Sequence, residues 1–340
     1  MGGDARVSPR SFGEDDFDSY DRPRRHTRPR TKDRPTYPDA VPGFVLTVDR
    51  GRFTVRVGAD AEASTVFAVK ARPLGRKGVV VGDDVRVVGD VSGDEGALAR
   101  IVEVLDRTTV LRRSADDDDP IERILVANAT QLVIVASVAD PPPRPRLIDR
   151  CLVAAYAARL TPLLCLTKGD LADPDELLSI YRALGVSSVV TQRRADLGTV
   201  VERLRDQVSV LVGHSGVGKS TLVNALVPGA DRTTGIVNAV TGRGRHTSTS
   251  AYALELPGGG WVIDTPGIRS FGLAHVTPRE LIGAFEDLDR ITDDCPRGCT
   301  HAGSEPECAL DEAVAEGRVD PERVDSFRRL LASREGSGAD

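Results

Sequence analysis

The 340-residue sequence predicts an α/β fold: a mostly parallel sheet covered by helices, preceded by a small β-barrel and followed by a short helical end. Three patterns carry that reading. Residues 43–105 alternate apolar and polar side chains in short runs punctuated by glycines, as antiparallel barrels do. From residue 120 apolar runs alternate with amphipathic stretches, the rhythm of a parallel sheet with crossover helices. Beyond residue 276 the chain turns polar and helical, and it holds three of the five cysteines there.

Each element follows in order. Residues 1–40 are rich in Pro, Arg, Asp, Ser and Gly, lack apolar periodicity, and are expected to form a disordered tail. Within it, residues 22–34 carry seven basic side chains against Asp33 alone. That stretch reads either as a solvated tail or as an arm that binds phosphates through charge. Residues 41–112 form the expected barrel. GFVLTVDRGRFTVRVG reads as a hairpin turning at 49–51, and STVFAVKAR, DDVRVVGD and ALARIVEVL as further strands. The pattern fits an oligonucleotide-binding (OB) type of barrel, and an SH3-like barrel would look similar. The four aspartates within residues 114–120 read as a solvated linker rather than a metal site.

Residues 120–275 supply the strands QLVIVAS, TPLLCLT, VSSVVT and QVSVLVG. The helices RLIDRCLVAAYAARL, PDELLSIYRAL and LGTVVERLRD lie between them. Cys151 and Cys165 sit in apolar runs and are expected to be inert core residues. Residues 276–340 hold the helices TPRELIGAFEDLD, CALDEAVAEG and DPERVDSFRRLLAS.

Composition narrows the class. Hydrophobic residues are 40% and charged residues 28%, the net charge is −6 and the pI about 5.5. These values fit globular domains and exclude a chain that is basic throughout, though not a local basic patch. No apolar run approaches the roughly 18 residues of a membrane span, and the first thirty residues lack a signal-peptide core. A soluble, cytoplasmic, monomeric protein with no membrane partner is expected. Only five of the 45 basic residues are lysine: Lys32, Lys70, Lys77, Lys168 and Lys219. Two of these fall in the motifs that carry chemistry.

Gly213-His214-Ser215-Gly216-Val217-Gly218-Lys219-Ser220 matches G-x-x-x-x-G-K-[ST] in full, with Thr221 next in the same turn. It follows a strand and opens a helix, as a phosphate-binding loop requires. The glycines let backbone N–H groups curl around a β-phosphate, and the helix N-terminus adds its positive dipole end. Lys219 meets β- and γ-phosphates as a point charge, and Ser220 offers a hydroxyl to Mg²⁺. Downstream, Asp264-Thr265-Pro266-Gly267 ends a strand. There Asp264 suits the Mg²⁺ shell and the Gly267 N–H suits a γ-phosphate. The intervening Gly242-Arg243-Gly244-Arg245-His246-Thr247-Ser248-Thr249 suits a loop that orders with γ-phosphate and Mg²⁺, and either Thr247 or Thr249 supplies a second hydroxyl.

Thr167-Lys168-Gly169-Asp170 resembles the guanine-reading N-K-x-D motif, with Thr in place of Asn. A buried aspartate accepts from the two N–H donors of guanine and rejects adenine, which lacks that pair. The segment 190–192 lies one βα unit later, where a second base-contacting loop belongs. In most GTPases the phosphate loop precedes the base reader. Here the base reader comes first, which is a circular permutation of the same sheet.

Cys295-x3-Cys299-x-His301-x6-Cys308 offers three thiolates and an imidazole in a polar segment, the tetrahedral set of structural Zn²⁺. Four protein ligands leave no open position, so such a metal would be structural.

Together, the barrel, ANATQLVIVASV, the permuted order, GHSGVGKS, GRGRHTSTS, DTPGIRSFG and the cysteine cluster resemble the circularly permuted ribosome small subunit-dependent GTPase A family. The resemblance covers residues 40–335 and implies an OB-type barrel, a P-loop GTPase core and a C-terminal zinc subdomain. It also implies GTP hydrolysis stimulated by the small ribosomal subunit, contact with its rRNA, and a role in its late maturation. Against the family pattern Cys-x4-Cys-x-His-x5-Cys, the first cysteine spacing is one shorter and the last one longer. The rival readings are an RNA-binding module that senses GTP with negligible turnover, and a P-loop ATPase. Ile268 follows Gly267 where many GTPases carry a water-orienting glutamine, and His246 is the nearest candidate to replace it. Its imidazole either places the water or merely packs or touches RNA.

Overall fold

The computed structural model describes residues 36–58, 63–74, 78–94, 96–114, 122–230, 251–265, 271, 273 and 276–334. Its first five strands are β1 (Val41–Asp49), β2 (Arg52–Val57), β3 (Ser64–Lys70), β4 (Asp84–Gly89) and β5 (Ala99–Val104). They pair in the order β1-β2-β3-β5-β4 and close back from β4 onto β1. Only β3–β5 is parallel. This is a closed five-stranded Greek-key barrel of the OB type. Val45, Phe53, Val55, Val66, Ala68, Val85, Val87 and Ile101 fill its interior, and their alternation along each strand fixes the register. The β1–β2 turn is tight because Arg50 and Gly51 both take positive φ (45° and 86°), as a two-residue hairpin loop demands.

A hairpin of β6 (Val110–Ser114) and β7 (Glu122–Ala127) follows, which the sequence reading does not contain. It mounts the barrel on what comes next through backbone. Val81 bridges Val126, the Ala127 N–H donates to the Val81 carbonyl (3.0 Å), and the Gly82 N–H donates to Val45 (2.9 Å). Gly82 has φ of +86°, and a Cβ there would lie 2.1 Å from the Ala127 carbonyl oxygen. Beside it the buried Asp83 receives a two-pronged bond from Arg107 at 2.6 and 2.8 Å.

The main sheet contains β8 (Gln131–Ser137), β9 (Thr161–Thr167), β10 (Ser187–Val190), β11 (Val208–Val212), β12 (Tyr252–Glu255) and β13 (Trp261–Asp264), in the order β10-β9-β8-β11-β13-β12. All pairings are parallel except β12–β13. The chain builds outward from β8 to β10, then returns to β11 and builds the other way, so a topological switch point lies between β8 and β11. Ligands of open α/β sheets bind outside the carboxyl ends of strands at such a point.

Helices cover both faces. Leu132, Ile134 and Ala136 of β8 face α1 (Pro145–Ala157) and α2 (Asp175–Arg182). Val133 and Val135 face α3 (Gly198–Leu204) and α4 (Lys219–Leu226). Every residue of β8 is buried, which explains its unbroken apolar run.

Four helices follow among the described residues: α5 (Pro278–Ile282), α6 (Glu286–Thr292), α7 (Ala309–Ala315) and α8 (Pro321–Arg334). The sequence pattern reads residues 277–289 as one helix, but the structure breaks it into α5 and α6. A Thr277–Glu280 capping box starts α5, and Gly283 ends it. Phe285 then turns inward between the rings of Tyr156 and Phe327, with centroids at 4.9 and 5.6 Å. The last helix packs on α1, where Arg329 pairs with the buried Asp149 (3.1 Å). Burial pushes the Asp149 carboxyl above its ordinary range, and Arg329 opposes that rise. The arginine-rich stretch 22–34 lies outside the described residues.

Candidate functional site

The loop after β11 has the backbone that phosphate binding needs. Gly216 and Gly218 take φ of 84° and 94°, and Gly218 is the N-cap from which Lys219 opens α4. A Cβ on Gly213 would lie 2.5 Å from the Val135 carbonyl oxygen, so the loop enters flush against β8. Val217 is fully buried and anchors the loop from below. Successive N–H groups and a helix N-terminus on such a loop form a concavity for anions. Ser215 and Ser220 are exposed at the rim.

Lys219 reaches back to form an ion pair with Oδ1 of Asp264, at the end of β13. The other carboxylate oxygen accepts from the Tyr252 phenol at 2.9 Å. Asp264 is 5% exposed, so both oxygens have partners inside the protein. The Thr265 hydroxyl donates to the Leu211 carbonyl (2.8 Å), which fixes the start of the next loop against the phosphate strand. Sequence reasoning missed Tyr252. It lies directly opposite Asp264 in the antiparallel β12–β13 register, and no local motif reports a cross-strand partner.

The loop after β9 is brought to the same end of the sheet. The buried Thr167 hydroxyl donates to the Val217 carbonyl at 2.5 Å, so the Thr167-Lys168-Gly169-Asp170 loop is tethered to the phosphate loop by the side chain that replaces asparagine. Lys168 takes φ of 59° and its Nζ donates to the Asp140 carbonyl. The Gly169 N–H donates to Thr191 (3.0 Å), and a Cβ on Gly169 would meet Val190 at 2.6 Å. The segment 190–192 therefore lies against the base-type loop, as the sequence places it. His246, Thr247, Thr249 and Gly267 lie outside the described residues.

The second constellation is separate. Cys295, Cys299, His301 and Cys308 place one ligand atom each within 4.8 Å of one another. His301 Nδ1 stands 3.6 Å from Cys295 Sγ and 3.5 Å from Cys299 Sγ. A tetrahedral Zn²⁺ with ordinary Zn–S and Zn–N bonds sets that separation at roughly 3.6 Å. His301 (φ 61°) and Gly298 (φ 85°) supply the left-handed turns that fold four ligands inward. Backbone N–H groups of His301 and Ala309 point at Cys299 and Cys295 sulfurs (3.4 Å each), as they do toward thiolates. Burial pushes the Cys295 thiol up to about 12, raises the Cys299 thiol and lowers the His301 imidazole; a divalent ion opposes the rise by displacing thiol protons. The donor set and spacing fit a structural metal. Cys151 and Cys165, by contrast, are buried in apolar core and their thiols are pushed up to about 12, as inert cysteines should be.

No described helix is long and apolar enough to cross a membrane.

The chain is similar to known proteins in sequence and in fold. The small ribosomal subunit biogenesis GTPase RsgA of Chlorobaculum parvum is 36% identical over 309 residues, covering 87% of this chain and 98% of its own. The crystal structure of YjeQ from Thermotoga maritima superposes with a TM-score of 0.65 at 26% identity, over 88% of this chain and all of that one. That of YloQ, described as a circularly permuted GTPase, superposes with a TM-score of 0.64 at 24% identity, over 87% and 95%. The sequence profile of the RsgA GTPase family matches residues 104–274, which contain the phosphate loop, the base-type loop and Asp264. The chain therefore belongs to the RsgA GTPase family.

Proposed function

We propose that this GTPase hydrolyses GTP to GDP and phosphate when the small ribosomal subunit stimulates it, and that it assists or checks late maturation of that subunit. The observation that carries this reading is the Thr167–Val217 hydrogen bond, which joins the base-type loop to the phosphate loop at one end of the sheet. In this reading Asp170 accepts from guanine, Lys168 packs its stem over the base, and Gly169 lets the loop lie on residues 190–192. The 213–221 loop cradles the phosphates, with Lys219 leaving Asp264 to meet the β- and γ-oxygens. Ser220, one of Thr247 or Thr249, and Asp264 form the Mg²⁺ site, and the Gly267 N–H faces the γ-phosphate. Bound there, Mg²⁺ would supply positive charge to the phosphates.

The barrel (41–112) and the helical segment (276–340) with Zn²⁺ on its Cys₃His cluster grip rRNA, while the core (120–275) times release. The 1–40 tail adds an arginine arm. The protein works as a cytoplasmic monomer. His246 places the attacking water once docking orders residues 242–249.

GTP turnover alone, with small subunits and with large subunits tests this reading. Stimulation by small subunits alone supports it. Turnover that stays negligible with both leaves a GTP-sensing RNA-binding module, and displacement of GTP by ATP leaves an ATPase. His246→Ala should lose most of the stimulated rate while still binding GTP and the subunit; full stimulation removes His246 from the water-placing role.

A further inference from the structure

Asp264 is held from two sides by different parts of the molecule. Lys219 approaches Oδ1 from the phosphate loop, and the Tyr252 phenol donates to Oδ2 at 2.9 Å from the neighbouring strand. A carboxylate with a donor on each oxygen has lost its freedom to rotate. When a lysine leaves for a phosphate, the tyrosine is, among the described residues, the remaining group that keeps Oδ1 facing the loop. Tyr252 is well placed for this, because antiparallel partners lie about 4.5–5.5 Å apart at Cβ. Its ring is half-buried against the apolar layer that contains Val217, Leu222 and Val223.

The same residue is also the seam between the main sheet and the barrel. Thr47 of β1 pairs with Tyr252, and this pair joins barrel and core into one eleven-stranded sheet. Thr47 is itself anchored in the barrel, its hydroxyl donating to Thr54 of β2 at 2.8 Å. The two strands next to the seam are gripped as well. Phe44 stacks on Trp261 with centroids 4.8 Å apart, and Arg56 pairs with Glu255 at 3.0 Å. A displacement of the barrel therefore carries β12 with it, and β12 carries the phenol.

We propose that Tyr252 is a positioning residue that aims Asp264 at the Mg²⁺–phosphate site and ties its carboxylate mechanically to the barrel. This rests on the assignment of Asp264 to the Mg²⁺ shell. Tyr252→Phe removes the donor and keeps the ring, so packing and folding should be preserved, which circular dichroism checks. Binding of a fluorescent GTP analogue is measured against Mg²⁺ concentration. Loss of an outer-shell partner should raise the Mg²⁺ midpoint by about tenfold, with Mg²⁺-independent binding unchanged. Hydrogen exchange of residues 41–49 supplies the second readout. Adding Mg²⁺ and the analogue should slow exchange there in the natural protein and not in the variant.

A natural Mg²⁺ midpoint in Tyr252→Phe overturns the positioning role, and an exchange response that survives in the variant overturns the tie to the barrel. Asp264→Asn separates the two levels. If it also leaves the midpoint unchanged, the Mg²⁺ assignment of Asp264 has failed. If it shifts the midpoint and Tyr252→Phe does not, only the role of Tyr252 has failed.

Discussion

Replacing Thr167 by valine removes one hydroxyl and little else. Its Oγ1 donates to the Val217 carbonyl at 2.5 Å, and both residues are buried, at 6% and 0% exposure. Valine keeps the shape of the side chain but offers no donor, so the Val217 oxygen is left unpaired and away from water. Such a group costs about 1–3 kcal/mol. For a unit of this size each kcal/mol lowers the unfolding midpoint by roughly 2 °C, so a fall of about 2–6 °C is expected. The tether also holds the base-type loop in register with the phosphate loop. If GTP must restore that register itself, about 1.4 kcal/mol lost from binding weakens its affinity about tenfold. Calorimetric unfolding and titration of GTP measure the two effects, with Thr167→Ser as the control that keeps the hydroxyl. A valine variant with natural midpoint and natural affinity would refute the tether.

Three further outcomes are expected. Asp170→Asn should weaken GTP binding by about 100-fold and favour xanthine nucleotides, which carry a carbonyl where guanine has its amine; competition binding reads this, and an unchanged base preference removes residues 167–170 as the reader. Purified protein should carry about one zinc per chain by elemental analysis, lost in Cys299→Ser or His301→Ala, and a content near zero in reduced protein contradicts the site. Arg323 binds Asp287 at 2.8 and 3.0 Å and holds that carboxyl below its ordinary 3.8. A depressed acid stabilises the fold above its unfolded value and loses that contribution as pH falls through the folded one. Hydrogen exchange of residues 321–334 should therefore speed up on the acid side of 3.8, and Asp287→Asn should show the faster exchange already at neutral pH; equal exchange in both proteins at neutral pH would show that the pair does not hold α8.

Much of this molecule is legible in its chain, for identifiable reasons. The barrel strands announce themselves because one face of each is buried and the other solvated. The β8 run is legible because both faces are covered. The phosphate loop, Thr167–Asp170 and the Cys₃His set are contiguous in sequence, so spacing alone reports them. The β6–β7 hairpin is hidden because ERILVANA runs almost without a break into QLVIVAS, and the apolar signal merges. β12 is hidden because four residues are too few to show a period. The α5–α6 break is hidden because Leu281, Ile282, Phe285 and Leu288 keep helical spacing across it, although the residues between them leave the helix. Tyr252 on Asp264 depends on strand register, which no single segment encodes.

The mounting of the barrel at Gly82 has an evolutionary consequence. Main-chain groups of Val45, Val81, Gly82 and Ala127 make the joint, and one glycine is the condition for their approach. Outward-facing Phe44 and Arg56 grip the core elsewhere, through Trp261 and Glu255. A lineage could repaint the exterior away from those contacts, trading one docking preference for another, without disturbing how the barrel is hung. Position 82 is denied that latitude, since any side chain there must displace the Ala127 carbonyl. Selection on what the barrel touches and selection on how it is carried thus fall on different residues, and the first can run freely while the second stands still.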